Sequence, residues 1–361
     1  MSAFIKAGEF ISVFNDVNSL SFLTEEKLSE LFIFLRAANL LGVFAYKVEG
    51  KAFISLLPEK FQCHITSNIN YYERQSFQVG LEIFRIDKLL REVGIKPIFL
   101  KGAAYNIEKL RAVKGRTMSD IDILVSSEQI KATEQRLRSV GWQTKEITDY
   151  DDKYYREFAH EIPPMFDPIS GTTLDVHHNL YLPISGKAPD EELLRKNIVT
   201  SKDGIIVLAK HMQALHSCVH LFWNEDVSSS LRDLYDFHCI CTENSTECFW
   251  QKVVHTAEEM HLTKLLLDVL GLAEYFFGLS SPSGVRAQLE DLNKGWFLNF
   301  RRQVILFFMQ RALIPNSRVC NSKLLSISRR FAYIRGHLLK MPLIVLIPHM
   351  IKKVWFNITR T

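Results

Sequence analysis

Ser119-Asp120-Ile121-Asp122-Ile123-Leu124-Val125 is the stretch that decides the reading of this chain. Polar and apolar residues alternate along it, the period of a β-strand, because successive strand side chains point to opposite faces. Asp120 and Asp122 therefore share one face, while Ile121, Ile123 and Val125 share the other. Two carboxylates about 7 Å apart repel by about 2 kcal/mol at an effective dielectric near 20. A half-buried strand tolerates this when a divalent cation compensates, and Mg²⁺ is commonly held by one or two carboxylates plus substrate phosphates. For a D-x-D considered by itself, the solvated face of an edge strand is the plainer alternative.

Working outward, Thr172 to His177 is a second alternating strand, with Asp175 opposite Leu174 and Val176. If it neighbours the first strand, three carboxylates converge on one side of a sheet; Asp167 and Glu161 compete with Asp175 for the third place. Lys96 to Leu100 reads as a short strand running into a helix at Lys101-Gly102-Ala103-Ala104-Tyr105, and Ser127 to Val140 as a helix. Trp142 to Ile147 and Tyr154 to Phe158 read as further strands, and Ile162-Pro163-Pro164 must interrupt regular structure. Residues 1–92 look helical, with Thr24 as an N-cap and a helix over Tyr71 to Val93 closed by Gly94. Beyond Pro189 the pattern is helical again, over Ile205 to Cys218, Leu231 to Cys241, His261 to Phe277 and Trp296 to Leu313. The expected organisation is an N-terminal helical region (1–92), an α/β core (93–188) and a C-terminal helical domain (189–361).

The 361 residues are 47% apolar and 23% charged, an ordinary globular composition with ample core material. A net charge of +4, from 44 basic and 40 acidic residues, is too mild to indicate nucleic acid, and no arginine-rich tract stands out. None of the six cysteines forms a C-x-x-C pair or a zinc-finger spacing. With no secretory signal at Met1-Ser2-Ala3-Phe4 they read as reduced thiols, and a cytoplasmic protein is expected. No run of eighteen apolar residues suggests a membrane span. The tail from Arg329 to Phe356 mixes basic and apolar residues; it reads as a terminal helix pair docked on the bundle, with peripheral membrane contact as the alternative.

Four landmarks in order carry a resemblance: Phe99-Leu100-Lys101-Gly102, Arg116-Thr117-Met118-Ser119-Asp120-Ile121-Asp122, Leu174-Asp175-Val176-His177, and Leu231-Arg232-Asp233-Leu234-Tyr235-Asp236. Together they resemble the polymerase-β-type nucleotidyltransferase superfamily, and more closely its branch of uncharacterised nucleotidyltransferases. The resemblance implies an α+β fold in which a small mixed β-sheet core is flanked by N-terminal helices and a C-terminal helical domain. It implies that Asp120, Asp122 and Asp175 hold Mg²⁺ (or Mn²⁺), and that Asp175 assists deprotonation of an acceptor hydroxyl. An NMP would pass from an NTP to that hydroxyl, with pyrophosphate released. Gly102 would admit a phosphate at a helix N-terminus. Ala103 stands where the wider superfamily often has a serine or glycine.

On the same resemblance Lys101 and Arg116 are candidates to neutralise phosphate charge, with a surface cation and a buried ion pair as their respective alternatives. Ser119 joins them as a possible ligand, or simply begins the strand. His177 shares a face with Asp175. His216 and His220 lie at i, i+4, a pair that could shape the acceptor pocket. The acceptor could be a small molecule, a protein side chain or an RNA end. Two other functions remain open: a nucleotide-binding regulatory module without turnover, and a metal-dependent hydrolase using Asp175, His177, His216 and His220.

Overall fold

The structure, a computed structural model, describes residues 3–144 and 147–342, with 344 and 346. Helices α1 (Ala3–Asn15), α2 (Glu25–Ala37), α3 (Leu41–Val48) and α4 (Glu59–Arg91) open the chain. Thr24 caps α2 as expected, its hydroxyl accepting from the Lys27 N–H. α4 extends a dozen residues further toward the N-terminus than the helix expected from Tyr71. Its early residues, such as Thr66, Ser67 and Asn68, are weak helix formers. Burial of Phe61, Ile65 and Ile69 at helical spacing outweighs that local preference.

The sheet strands are β1 (Ile98–Phe99), β2 (Ile121–Leu124), β3 (Gln143–Thr144), β4 (Met165–Phe166), β5 (Thr173–His177), β6 (Ile198–Thr200) and β7 (Ile206–Leu208). They lie in the order β3-β4-β5-β2-β1-β7-β6. β2 and β5 run parallel, whereas β1 and β2 run antiparallel, so the sheet is mixed. All four residues of β2 are buried. Between the strands lie α5 (Lys101–Ile107), α6 (Ile130–Ser139), α7 (Asp149–Glu157) and α8 (Glu191–Lys196). The fold class is thus α+β.

Two expected elements are corrected. Tyr154 to Phe158 is not a strand: its residues belong mainly to α7, where Arg156 pairs with Asp152 one turn back and with Glu134 of α6. Ile205 to Cys218 is not one helix. Ile206–Leu208 forms β7, suited to its β-branched residues, and a helix follows only at Lys210. Of Trp142 to Ile147, Gln143–Thr144 form β3 and residues 145 and 146 lie outside the described residues.

The helices α9 (Lys210–Trp223), α10 (Ser230–Glu243), α11 (Glu247–Glu259), α12 (Thr263–Phe277), α13 (Ser283–Leu292), α14 (Trp296–Ala312) and α15 (Lys323–Lys340) complete the chain. α9 is buried nearly all round, with α10, α11, α12 and α15 packed against it. The part of the expected tail beyond Pro342 is almost entirely outside the described residues. Among the described residues no helix is long and apolar enough to cross a membrane.

Candidate active site

The register of β2 and β5 sets Asp122 directly beside Asp175. Parallel neighbours lie about 4.8 Å apart and side chains at matched positions share a face. Asp120, two residues before Asp122, extends the same face toward solvent. The three aspartates of the sequence expectation are therefore brought together. Of the two competitors, Glu161 joins this cluster, its Oε2 lying 3.3 Å from Nδ1 of His177. Asp167 does not: it is held elsewhere by Arg85, Ser170 and the Ile169 N–H.

Asp122 is buried, yet it is the best satisfied of the group. Lys101 Nζ donates to its Oδ1 at 2.9 Å, and Nε2 of His177 lies 3.0 Å from the same oxygen. Burial would raise its pKa, but Lys101 and His177 outweigh that and hold Asp122 well below the usual carboxylate range. Asp175 behaves oppositely. Burial, then repulsion from Asp122 and Glu161, pushes it up to about 7, and its Oδ1 is buried with no hydrogen-bond partner among the described residues.

Lys101 reaches Asp122 because the chain turns sharply where β1 gives way to α5. Its φ is +46°, a left-handed conformation that costs a non-glycine residue about 1–2 kcal/mol. Burial by itself would lower the Lys101 ammonium, but attraction to Asp122 raises it, so the side chain stays charged. The expected alternative of a surface cation is replaced by an internal ion pair. Gly102 is required next to it for close approach: a Cβ there would sit 2.3 Å from Arg116 Nη1 and 2.8 Å from Met118 Sδ.

Arg116 is buried and its Nε donates to Asp236 Oδ2 of α10 at 2.8 Å, the ion-pair alternative raised for it from sequence. Its neighbour Gly115, at φ +80°, presses on the backbone of Gly42 in α3, where a Cβ would come within 2.2 Å of the Gly42 carbonyl carbon. Arg232 donates to Asp233 Oδ1 at 2.7 Å and to the Thr117 carbonyl at 3.1 Å. His220 Nδ1 lies 3.3 Å from Asp233 Oδ2. Burial opposes ionisation of Asp233, but Arg232 and His220 outweigh it and hold this carboxylate low.

These groups enclose a cleft of about 490 Å³ between the sheet and the helices. Lys101, Arg116, Ser119, Asp120 and Asp122 line one wall; His220, Asn224, Arg232, Asp233 and Asp236 line the other. Gly102 and Ala103 are buried behind the first wall and do not line the cleft. His177 sits beneath Asp122. His216 is buried, kept neutral first by burial and then by the nearby charge of Lys101. The paired His216 and His220 of the hydrolase alternative do not act as a unit here, because His220 is turned to Asp233. Sequence reasoning missed His160, Asn224 and the aromatic residues Tyr71 and Tyr105 of the cleft; only His160, seventeen residues before His177, carries a metal-ligating residue type as a signal.

The model of a family described as uncharacterised nucleotidyltransferases matches residues 24–278. The chain belongs to that family. The match runs from the Thr24 cap through α12 and so takes in both walls of the nucleotidyltransferase cleft, ending before α13, α14 and α15. No curated protein and no solved structure matches the chain.

Proposed function

We propose that the protein transfers a nucleotidyl group from a nucleoside triphosphate to a hydroxyl-bearing acceptor, using divalent cations held by Asp120, Asp122 and Asp175. One observation carries this reading: the strand register that sets Asp175 beside Asp122, with a buried carboxylate oxygen left unpartnered. A donor set of clustered carboxylate oxygens suits a hard cation such as Mg²⁺. Mg²⁺ bound there supplies charge neutralisation to an in-line displacement at phosphorus.

The chain's own residues supply the rest. Lys101 and Arg116 present positive charge on the cleft wall, and Ser119 a hydroxyl at its lip. The acceptor oxygen bonds to the α-phosphorus as the bond to the β-phosphate bridging oxygen breaks, and pyrophosphate leaves. Asp175, set beside Asp122 by the strand register, assists in taking up the acceptor proton. The helical wall, with His220, Asn224 and Arg232, is the proposed acceptor side. Incubation with each α-³²P-labelled NTP, Mg²⁺ and a lysate pool should move label to an acceptor, and EDTA should stop it. Absence of label with all four nucleotides would defeat the proposal.

A second reading, nucleotide binding without turnover, is favoured by one feature. Asp122 Oδ1 already contacts both Lys101 and His177. It predicts NTP binding by calorimetry that is indifferent to EDTA and persists in Asp122→Asn.

A further inference from the structure

We propose that His160, Glu161 and His177 form a site for a divalent transition-metal ion of the zinc class, distinct from the carboxylate site proposed above. One donor atom from each residue lies within 4.8 Å of the other two. Nδ1 of His160 is buried with no hydrogen-bond partner among the described residues, and Nδ1 of His177, also buried, faces only the Glu161 carboxylate at 3.3 Å. The two rings are 5.1 Å apart between centroids. An unpartnered buried imidazole nitrogen beside a carboxylate is costly unless something binds it.

The backbone builds this cluster. Glu161 and His177 form an antiparallel bridge, Ile162 N–H donates to the Val176 carbonyl at 3.0 Å, and His178 N–H donates to the His160 carbonyl at 2.8 Å. Segment 159–162 is thereby clamped along β5, and Pro163 and Pro164 interrupt the pairing before β4 resumes it. Zinc–nitrogen bonds of about 2.0–2.1 Å require only a modest closing of the three groups and leave a fourth position open. Two imidazoles and one carboxylate favour zinc or cobalt over Mg²⁺, which takes oxygen ligands. His177 also places Nε2 3.0 Å from Asp122 Oδ1, the carboxylate–histidine–metal arrangement that fixes a ligand's tautomer. With Nδ1 on the ion, Nε2 carries the proton and donates to Asp122. The ion therefore positions a carboxylate of the transfer site without touching substrate.

The test uses cobalt as probe on full-length protein stripped with EDTA. About one equivalent should survive dialysis and give the visible absorption of low-coordinate cobalt with imidazole ligands. Zn²⁺ should displace it, and excess Mg²⁺ should not. His160→Ala and Glu161→Gln should each weaken binding by about 100-fold or more, whereas Asp120→Asn should leave it intact. Unfolding of His160→Ala, checked by circular dichroism, shifts the decision to the isosteric Glu161→Gln. Failure to retain cobalt, binding by both variants at wild-type strength, or loss of binding in Asp120→Asn would each overturn the proposal. Labelling by NTP is a separate readout, so its failure with cobalt retained counts only against nucleotidyl transfer.

Independent observations on the last two helices support a second inference. We infer that α14 and α15 form a docking face for an anionic lipid bilayer. Residues 292–361 contain thirteen Lys and Arg and no Asp or Glu, while residues 1–291 contain 31 basic and 40 acidic residues. α15 packs inward through Leu325 and the small residues Ser328, Ala332 and Gly336, the last approaching Glu225 so closely that a Cβ would lie 2.7 Å from its Cα. Its outward face carries Leu324, Ile327, Ile334 and Leu338, all exposed, with Arg330 among them. Phe331 stacks on Phe308 of α14 at 4.5 Å and joins the two helices, and α14 exposes Trp296 and Phe300.

A water-facing helix turns its aliphatic residues inward, and this one leaves four of them facing out. Exposed Leu and Ile among basic residues suit a lipid interface with negative headgroups better than RNA, which is gripped by stacking and phosphate contacts. The protein should sediment with vesicles of phosphatidylcholine and phosphatidylglycerol but not with phosphatidylcholine alone. Ile327→Asp and Ile334→Asp should each reduce this binding by about tenfold. No binding to the anionic vesicles, no effect of either substitution, or a dimer by light scattering that Ile334→Asp dissociates would overturn it.

Discussion

On the helical wall of the cleft each carboxylate has its own cationic partner: Asp233 has Arg232 and His220, and Asp236 has Arg116. On the sheet side Lys101 pairs with Asp122, whereas Asp175, its neighbour in the sheet, makes no ion pair among the described residues; a buried oxygen without a hydrogen-bond partner among those residues occurs on both sides, at Asp175 and at Asp236. Asp122 is as buried as Asp233 and Asp236, so burial alone does not account for the difference. Paired charge on the helices holds the walls together. Acidic charge in excess on the sheet leaves room for a cation to bind. A folded protein retains such an imbalance at a cost, and perturbed carboxylates in a cleft are a mark of chemistry.

The largest test of this contrast is Asp120→Asn. It removes one charge from the crowded wall at a half-exposed position, so label transfer should fall by about 10²- to 10³-fold while the melting temperature stays near wild type. An equal loss of stability would erase the distinction between the walls. Arg116→Met should act in the opposite sense. It strands Asp236 in the interior, and urea denaturation should show a loss of about 3–5 kcal/mol. Gly102→Ala comes next, because the new methyl meets Arg116 and Met118; about 1–3 kcal/mol of stability is expected to go, with Arg116 displaced from the cleft wall.

A smaller effect should appear with pH. Burial, followed by the charge of Lys47, lowers His238 of α10 to about 4. The unfolded chain then binds more protons than the folded one between about pH 4 and pH 6.5, so stability is complete above that window and declines as pH falls through it. His238→Phe should make the denaturation midpoint less sensitive to acid over this range.

Much of this was legible in local pattern. Alternation along 119–125 and 172–177 gave both aspartate-bearing strands, because one face of each is packed and the other carries the carboxylates. Tyr154 to Phe158, expected as a strand, is instead helical, sustained by i, i+4 ion pairs and by the Arg156 contact with Glu134 of α6. Ile205 to Cys218 failed for a different reason: a mostly buried strand and a buried helix adjoin with only Ala209 between them. Of the site, Asp122, Asp175 and Lys101 were accessible because they sit on regular elements, and Asp120 because it immediately precedes β2. His160 enters through a bridge in an irregular segment, and Arg116 meets Asp236 across 120 positions of sequence. No periodicity encodes contacts of that kind.

The backbone contact between Gly42 and Gly115 has a consequence for portability. Tyr72 presses on the same point from α4, so the loop bearing Arg116 rests on two N-terminal helices that contribute no strand. Excising the sheet and its adjoining helices as a minimal catalytic fragment would remove the abutment that aims this arginine. The opening segment thus serves as a jig for the reaction centre, and shortened versions of the protein should begin upstream of α3.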